Sequence, residues 1–112
     1  MTRKLIRSEA ADDDLLAIAG ELAGSVGIDA ALAVDERLDA AIESLTELSN
    51  RGRVVRQLRV RGITAYRELI VSPYYRIIYR VEEAEVWIIA VLDHRRDLDT
   101  LLRDRARRDH AR

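Results

Sequence analysis

The chain has no cysteine. That excludes disulfides, a thiolate nucleophile and cysteine-ligated zinc or iron–sulfur. Its two histidines, His94 and His110, are too few for a histidine metal cluster, and no metal or other cofactor is expected. No apolar run approaches the roughly 18 residues of a membrane-spanning helix, so no membrane association is expected. The opening residues Met1 to Ser8 are basic but lead into no apolar stretch, unlike a signal peptide. These absences point to a cytoplasmic protein. Glycine-based nucleotide motifs are missing as well. Gly20, Gly24 and Gly27 fall inside or at the end of a helical pattern and not after a strand, which is not the context of a dinucleotide fingerprint. No serine has a nucleophile-elbow context in which His94 could serve as a base, and no small-molecule substrate is implied.

What remains is a chain of 112 residues, 48% hydrophobic and 35% charged. This length suits one domain that buries about 65% of its unfolded surface. The net charge of −1 hides a segregation. Residues 1–50 carry 4 basic and 11 acidic side chains, whereas residues 51–112 carry 15 and 9. Between 51 and 81, eight arginines stand against one acid, Glu68. Arginine-for-lysine usage follows genome composition, but composition does not segregate charge along a chain. A concentrated arginine field suits a polyanionic partner or an acidic protein surface.

Lys4 to Arg7 forms a short first strand within 1–8. Ser8 is placed to cap a helix whose early aspartates suit the helix dipole. Ala11, Leu15, Ile18, Ala19, Leu22 and Val26 then recur at helical spacing. Gly27 stops this helix, and Asp29 is expected to cap a second one with the apolar face Leu38, Ala41, Ile42, Leu45 and Leu48. The two make a helical hairpin over 9–50. From 54 the periodicity becomes strand-like, with segments at 54–60, 66–71, 75–81 and 86–92. The last is almost wholly apolar, as befits an interior strand buried on both faces. Ser72-Pro73-Tyr74 makes a tight connection between two of them. Short connections make the neighbours antiparallel over 54–93. A short C-terminal helix over 97–106 carries Leu98, Leu101 and Leu102 on one side, and a charged tail covers 107–112. The expected fold is α+β: an N-terminal strand and a helical hairpin packed on an antiparallel meander, in one domain over 1–112.

Period-two alternation puts Arg76, Ile78 and Arg80 on one sheet face. Arg67 lies on a neighbouring strand with Leu69, and His94, Arg95 and Arg96 leave the end of the last strand. On a common face these residues would form a cationic groove suited to phosphate. The structural alternative pairs Arg67 and Arg76 with helix carboxylates, or with Asp93 and Asp97.

The order strand–helix–helix–four strands, with Tyr75-Arg76-Ile77-Ile78-Tyr79 and His94-Arg95-Arg96-Asp97, resembles the RelE/ParE toxins of bacterial toxin–antitoxin modules over nearly the whole chain. The resemblance implies one of two activities: cleavage of messenger RNA on the ribosome in RelE-like members, or poisoning of DNA gyrase in ParE-like members. On the RelE pattern Arg76 matches the strand arginine of the nuclease site, and Arg96 matches the arginine after the last strand. Arg67 matches the first of two lysines. The second lysine becomes Leu69 and the C-terminal tyrosine becomes Leu102, and neither aliphatic side chain can exchange a proton. Arginine does not substitute, because it stays protonated. These losses favour the ParE-like branch: a gyrase-directed, plasmid-stabilising toxin that is not an enzyme and is neutralised by a cognate antitoxin. The alternative is a ribosome-dependent endoribonuclease with Arg67, Arg76, His94 and Arg96 as its site and His94 as the base. A further alternative is a non-toxic binding module. The implied partner is a small acidic antitoxin, partly disordered, that folds across the toxin's apolar grooves and arginine-rich sheet.

Overall fold

The computed structural model describes residues 2–71 and 75–93. Strand β1 (Lys4–Arg7) leads into helix α1 (Glu9–Ser25), and α2 (Ile28–Ser44) folds back beside it. Then follow β2 (Arg53–Val54), the one-turn helix α3 (Arg56–Arg59), β3 (Tyr66–Val71), β4 (Tyr75–Val81) and β5 (Glu85–Asp93). The five strands form one sheet in the order β1-β5-β4-β3-β2. The expected α+β architecture is present, with β5 as an interior strand. The sheet is mixed and not wholly antiparallel. β1 runs parallel to β5, Lys4 opposite Glu85 through Arg7 opposite Ile88, because the helical hairpin carries the chain back before the meander begins.

The capping chemistry sets the helix ends. The Ser8 hydroxyl accepts from the Ala11 N–H at 3.0 Å and donates to the Ile89 carbonyl at 3.2 Å, so it caps α1 and fastens its start to β5. Gly27, at φ 130°, ends α1 and begins α2 in a backbone conformation that a side chain disfavours. Asp29, expected as the cap of α2, lies in its first turn instead. α2 also stops at Ser44, short of the expected 50. The Ser44 hydroxyl donates to the Ala41 carbonyl and that of Thr46 to the Glu43 carbonyl, at 2.6 and 2.9 Å. Such side chains compete for the backbone and end helices. Leu48 consequently points outward, while Leu45 is fully buried.

The strand expected over 54–60 is the main correction. Only Arg53 and Val54 pair, with Glu68 and Arg67 of β3, and α3 follows at once. The apolar residues Val55 and Leu58 are three apart, which is a helical interval and not a strand one. Both pack on the sheet face opposite the hairpin, against a small core of Val55, Ile78, Ala90 and Leu92. The larger core lies between hairpin and sheet, with Ala11, Leu15, Leu38, Ile42 and Leu45 set against Ile77, Tyr79, Val86, Ile88 and Val91. Residue 94 onward, including the expected helix over 97–106 and tail over 107–112, and the connection at 72–74, lie outside the described residues.

Between β4 and β5 the register shifts: Ile78 faces Ala90, but Tyr79 faces Ile88, leaving Ile89 as an extra residue. This bulge lets Val86, Ile88 and Val91 enter the large core and Ala90 and Leu92 the small one. Ile88→Ala should destabilise the protein by about 2–5 kcal/mol in urea titration, since the side chain is fully buried.

A second fixture joins the segment after α2 to the sheet. The buried Tyr79 hydroxyl accepts from the Gly52 N–H and donates to the Ser49 carbonyl, both at 2.8 Å. Gly52 is required at this contact, because a Cβ there would lie 2.5 Å from the Glu68 carbonyl oxygen. Burial pushes the Tyr79 phenol above its ordinary value of 10.0, against the lowering effect of the Gly52 hydrogen bond and of Arg67 and Arg51. Below pH 10.0 both folded and unfolded chains hold this proton. Above it the unfolded chain ionises first, so stability falls as pH rises toward the folded value. Tyr79→Phe should cost about 1–3 kcal/mol at neutral pH, and should remove this residue's share of the alkaline loss in melts recorded across that range.

Candidate partner-binding face

The fold sorts charge onto two sides. α1 and α2 carry ten acidic residues and one basic one, while most arginines of 51–81 belong to the sheet and α3. Three acids of the hairpin side have structural duties at the sheet edge. Asp39 and Glu43 receive Arg7 of β1, at 2.9 and 3.8 Å. Asp14 accepts from the Val91 N–H at 2.9 Å, beyond the end of β1's pairing.

On the face opposite the hairpin, α3 and the β3–β4 surface enclose an open cleft of 1360 Å³ lined among others by Arg53, Arg56, Arg59, Glu68, Ile70 and Arg76. Glu68 organises it. This carboxylate is 4% exposed and receives two arginines, Arg53 Nε on Oε1 at 2.8 Å and Arg76 on Oε2, where Nε lies at 3.2 Å and Nη2 makes the closer contact. Arg76 is itself 13% exposed, whereas Arg53 is 75% exposed. One negative charge thus holds two positive ones, and the cleft keeps a net positive charge.

The sequence-expected groove is only partly assembled. Arg76 and Arg80 do share a face. Arg80 lies outside the cleft lining, with its guanidinium carbon 5.5 Å from the Trp87 ring centroid and Nη2 on Glu82 at 3.0 Å. Arg67 is on the other face: it sits opposite Tyr79, in line with Leu69 and the large core. It borders the cleft through its strand, but its guanidinium donates to the Gly52 carbonyl at 2.8 Å. Arg67 and Arg76 thus both line the cleft, but from opposite faces of the sheet and with different partners. Arg76 is ion-paired, as the structural alternative anticipated, but to Glu68 and not to a helix acid. His94, Arg95, Arg96 and Leu102 lie outside the described residues.

The cleft's outer cations, Arg53, Arg56 and Arg59, were missed by the strand reading of 54–60. Their signal was available: the three recur every third residue, a helical interval. Glu68 was visible too, as the lone acid among eight arginines. Among the described residues no group of three histidine, cysteine or carboxylate side chains could hold a metal ion. No helix there is long and apolar enough to cross a membrane.

The structure is thus a small α+β domain that carries a partly neutralised cationic cleft. The comparisons define the class further. Residues 5–98 match the family described as ParE toxin of type II toxin-antitoxin system, parDE, and the chain belongs to that family. Among solved structures it is similar to a chain of the chromosomal ParDE TA system from P. aeruginosa, at 19% identity and a TM-score of 0.69, covering 82% of this chain and 96% of that one. No curated protein matches the chain.

Replacing Glu68 tests the organising role assigned to it. Glu68→Gln leaves Arg76 buried without a counter-charge and should cost about 3–5 kcal/mol in urea titration. Arg53→Ala removes only the exposed partner and should cost under about 1 kcal/mol.

Proposed function

We propose that this ParE-family toxin arrests growth in the cytoplasm by acting on DNA gyrase, and that a cognate antitoxin neutralises it by covering its cationic face. One observation carries the reading: Arg76, which the RelE pattern would use at a nuclease site, is tied to the buried carboxylate of Glu68. A strand arginine that must stabilise charge developing on a phosphate cannot also serve a fixed internal carboxylate at full strength. Two further features agree. Leu69, at the position of the nuclease's second lysine, is packed in the large core. Arg67 is engaged on the opposite side of the sheet. RNA cleavage also needs a group that takes the 2′-hydroxyl proton, and arginine is a poor base. Binding a protein target asks only for shape and charge, and the arginines supply both. The ParDE system to which the fold is similar is consistent with an antitoxin partner.

The test is induction of the chain in a bacterial host, followed by parallel measurement of DNA breakage, the SOS response and ribosome-bound message integrity. DNA breaks and SOS induction with intact messages are expected. Toxicity should survive His94→Ala and decline in Arg95→Gln/Arg96→Gln. Codon-periodic message cuts without DNA damage, abolished by His94→Ala, would replace this reading with a ribosome-dependent nuclease. Absence of any growth effect would make the chain a non-toxic binding module.

A further inference from the structure

The tip of the helical hairpin is bare. Val26, Ile28 and Leu32, where α1 gives way to α2, are all at least 60% exposed. Leu32 stands one helical turn from Ile28, Asp29 and Glu36, so carboxylates flank the aliphatic side chains. Glu21, in the last turns of α1, adds another. Glu21, Asp29 and Glu36 are exposed, and among the described residues none of them makes an ion pair. The end of α3 carries the opposite pattern. Val60, 77% exposed, and Ile63 stand in solvent there. Arg59 and Arg61 lie beside them, exposed and likewise without an ion pair among the described residues.

The two patches match in chemistry but cannot meet within one molecule. The hairpin covers the large core and α3 the small one, on opposite faces of the sheet. We propose that copies of this chain associate head to tail, with the hairpin tip of one copy seated on the end of α3 of the next. Val26, Ile28 and Leu32 then cover Val60 and Ile63, and the tip carboxylates meet Arg59 and Arg61. Charge fixes this arrangement. Tip on tip would set carboxylate against carboxylate, and α3 on α3 guanidinium against guanidinium, and like charges brought together across an interface are costly. Only the heterologous pairing serves both patches, and it repeats along an open chain or closes as a ring. The net charge of −1 leaves whole molecules with little mutual repulsion. This contact requires neither an antitoxin nor gyrase. A partner that occupies the end of α3 competes with the next copy, so self-association is a cover that the protein provides for its own cationic surface.

The experiment is sedimentation velocity of the purified full chain over a concentration series, at about 0.05 M and about 0.5 M salt. The sedimentation coefficient should rise with concentration at low salt, and high salt should suppress the rise. Glu21→Lys/Glu36→Lys and Arg59→Glu/Arg61→Glu should each weaken self-association by roughly tenfold or more. Mixed in equal amounts, these two variants present matched charges again and should associate, as should one chain carrying all four changes. All four positions are exposed, and circular dichroism melts of each variant check that the fold is retained. Recovery in the mixture separates a broken contact from a broken fold. A concentration-independent monomer at both salts would overturn the proposal. So would reversal variants that associate like the parent, or that fail to recover on mixing. Association strengthened by Glu21→Lys/Glu36→Lys would mean tip on tip and overturn the head-to-tail arrangement. A monomeric parent whose complex with the antitoxin encoded beside it is weakened by Glu21→Lys/Glu36→Lys would assign the tip to the antitoxin instead.

Discussion

Strand β5 must meet apolar surroundings on both sides of the sheet, and strict alternation would give each side every second residue at fixed positions. The two sides do not want the same thing. The hairpin face takes Val86, Ile88 and Val91 into the large core, with α1 packed on the strand. The other face needs small and medium residues near its end, where α3 lies across Ala90 and Leu92. The extra residue at Ile89 resolves this by shifting the phase once. Before it, Val86 and Ile88 point into the large core, and after it Val91 does. Where β1 ends, the edge of β5 is satisfied by α1 and its cap, through Ser8 on the Ile89 carbonyl and Asp14 on the Val91 N–H. The phase shift thus lets one strand serve both the large core and the small one.

Once the sheet is fixed, the charges sort themselves by face. Ten of the eleven acids of the first half lie on the helical hairpin, where Asp39 and Glu43 receive Arg7 and Asp14 accepts from the Val91 N–H. The arginines of the second half lie on the sheet and on α3. The local exception is Glu68. A carboxylate at 4% exposure stands only when its charge is compensated, and Arg76 with Arg53 provides the compensation. The pairing works in both directions, since a mostly buried Arg76 needs the carboxylate as much as the carboxylate needs it. A residue that resembles a catalytic arginine by sequence is thereby made part of the framework.

The parts of the fold legible in the sequence were those with long, unambiguous periodicity. Most of the hairpin seam, β3, β4 and the interior position of β5 followed from spacing, while Val26 and Leu48 of the expected seam are exposed. The misread segments were short ones, where two periods compete. Over 54–60 the apolar residues fit a strand at Val54, Leu58 and Val60, but Val55 and Leu58 fit a helical turn, and packing on the small core decides for the turn. The parallel pairing of β1 was hidden because no local feature of Lys4–Arg7 encodes its neighbour. For the site, alternation placed Arg76 and Arg80 correctly on one face. The same rule leaves Arg67 undetermined until the register of β3 is known, because a shift of one residue moves a side chain to the opposite face.

The distinction between held and free arginines bears on what such a surface can do. A guanidinium fixed by an internal carboxylate is preorganised, and its field is partly cancelled before a partner arrives. It can orient a ligand but adds little net attraction. Exposed guanidiniums without counter-charges keep their full field but lose side-chain entropy when they bind. The cleft combines the two, with Arg76 and Arg53 anchored on Glu68 and with Arg56 and Arg59 free on a one-turn helix. An active site needs its charges fixed and uncompensated at the reacting atoms. Here Arg53 and Arg76 are compensated by Glu68, while Arg67 is held by a neutral carbonyl. The division between held and free arginines suits recognition of an extended acidic surface, in which free charges accelerate encounter and the anchored pair sets register.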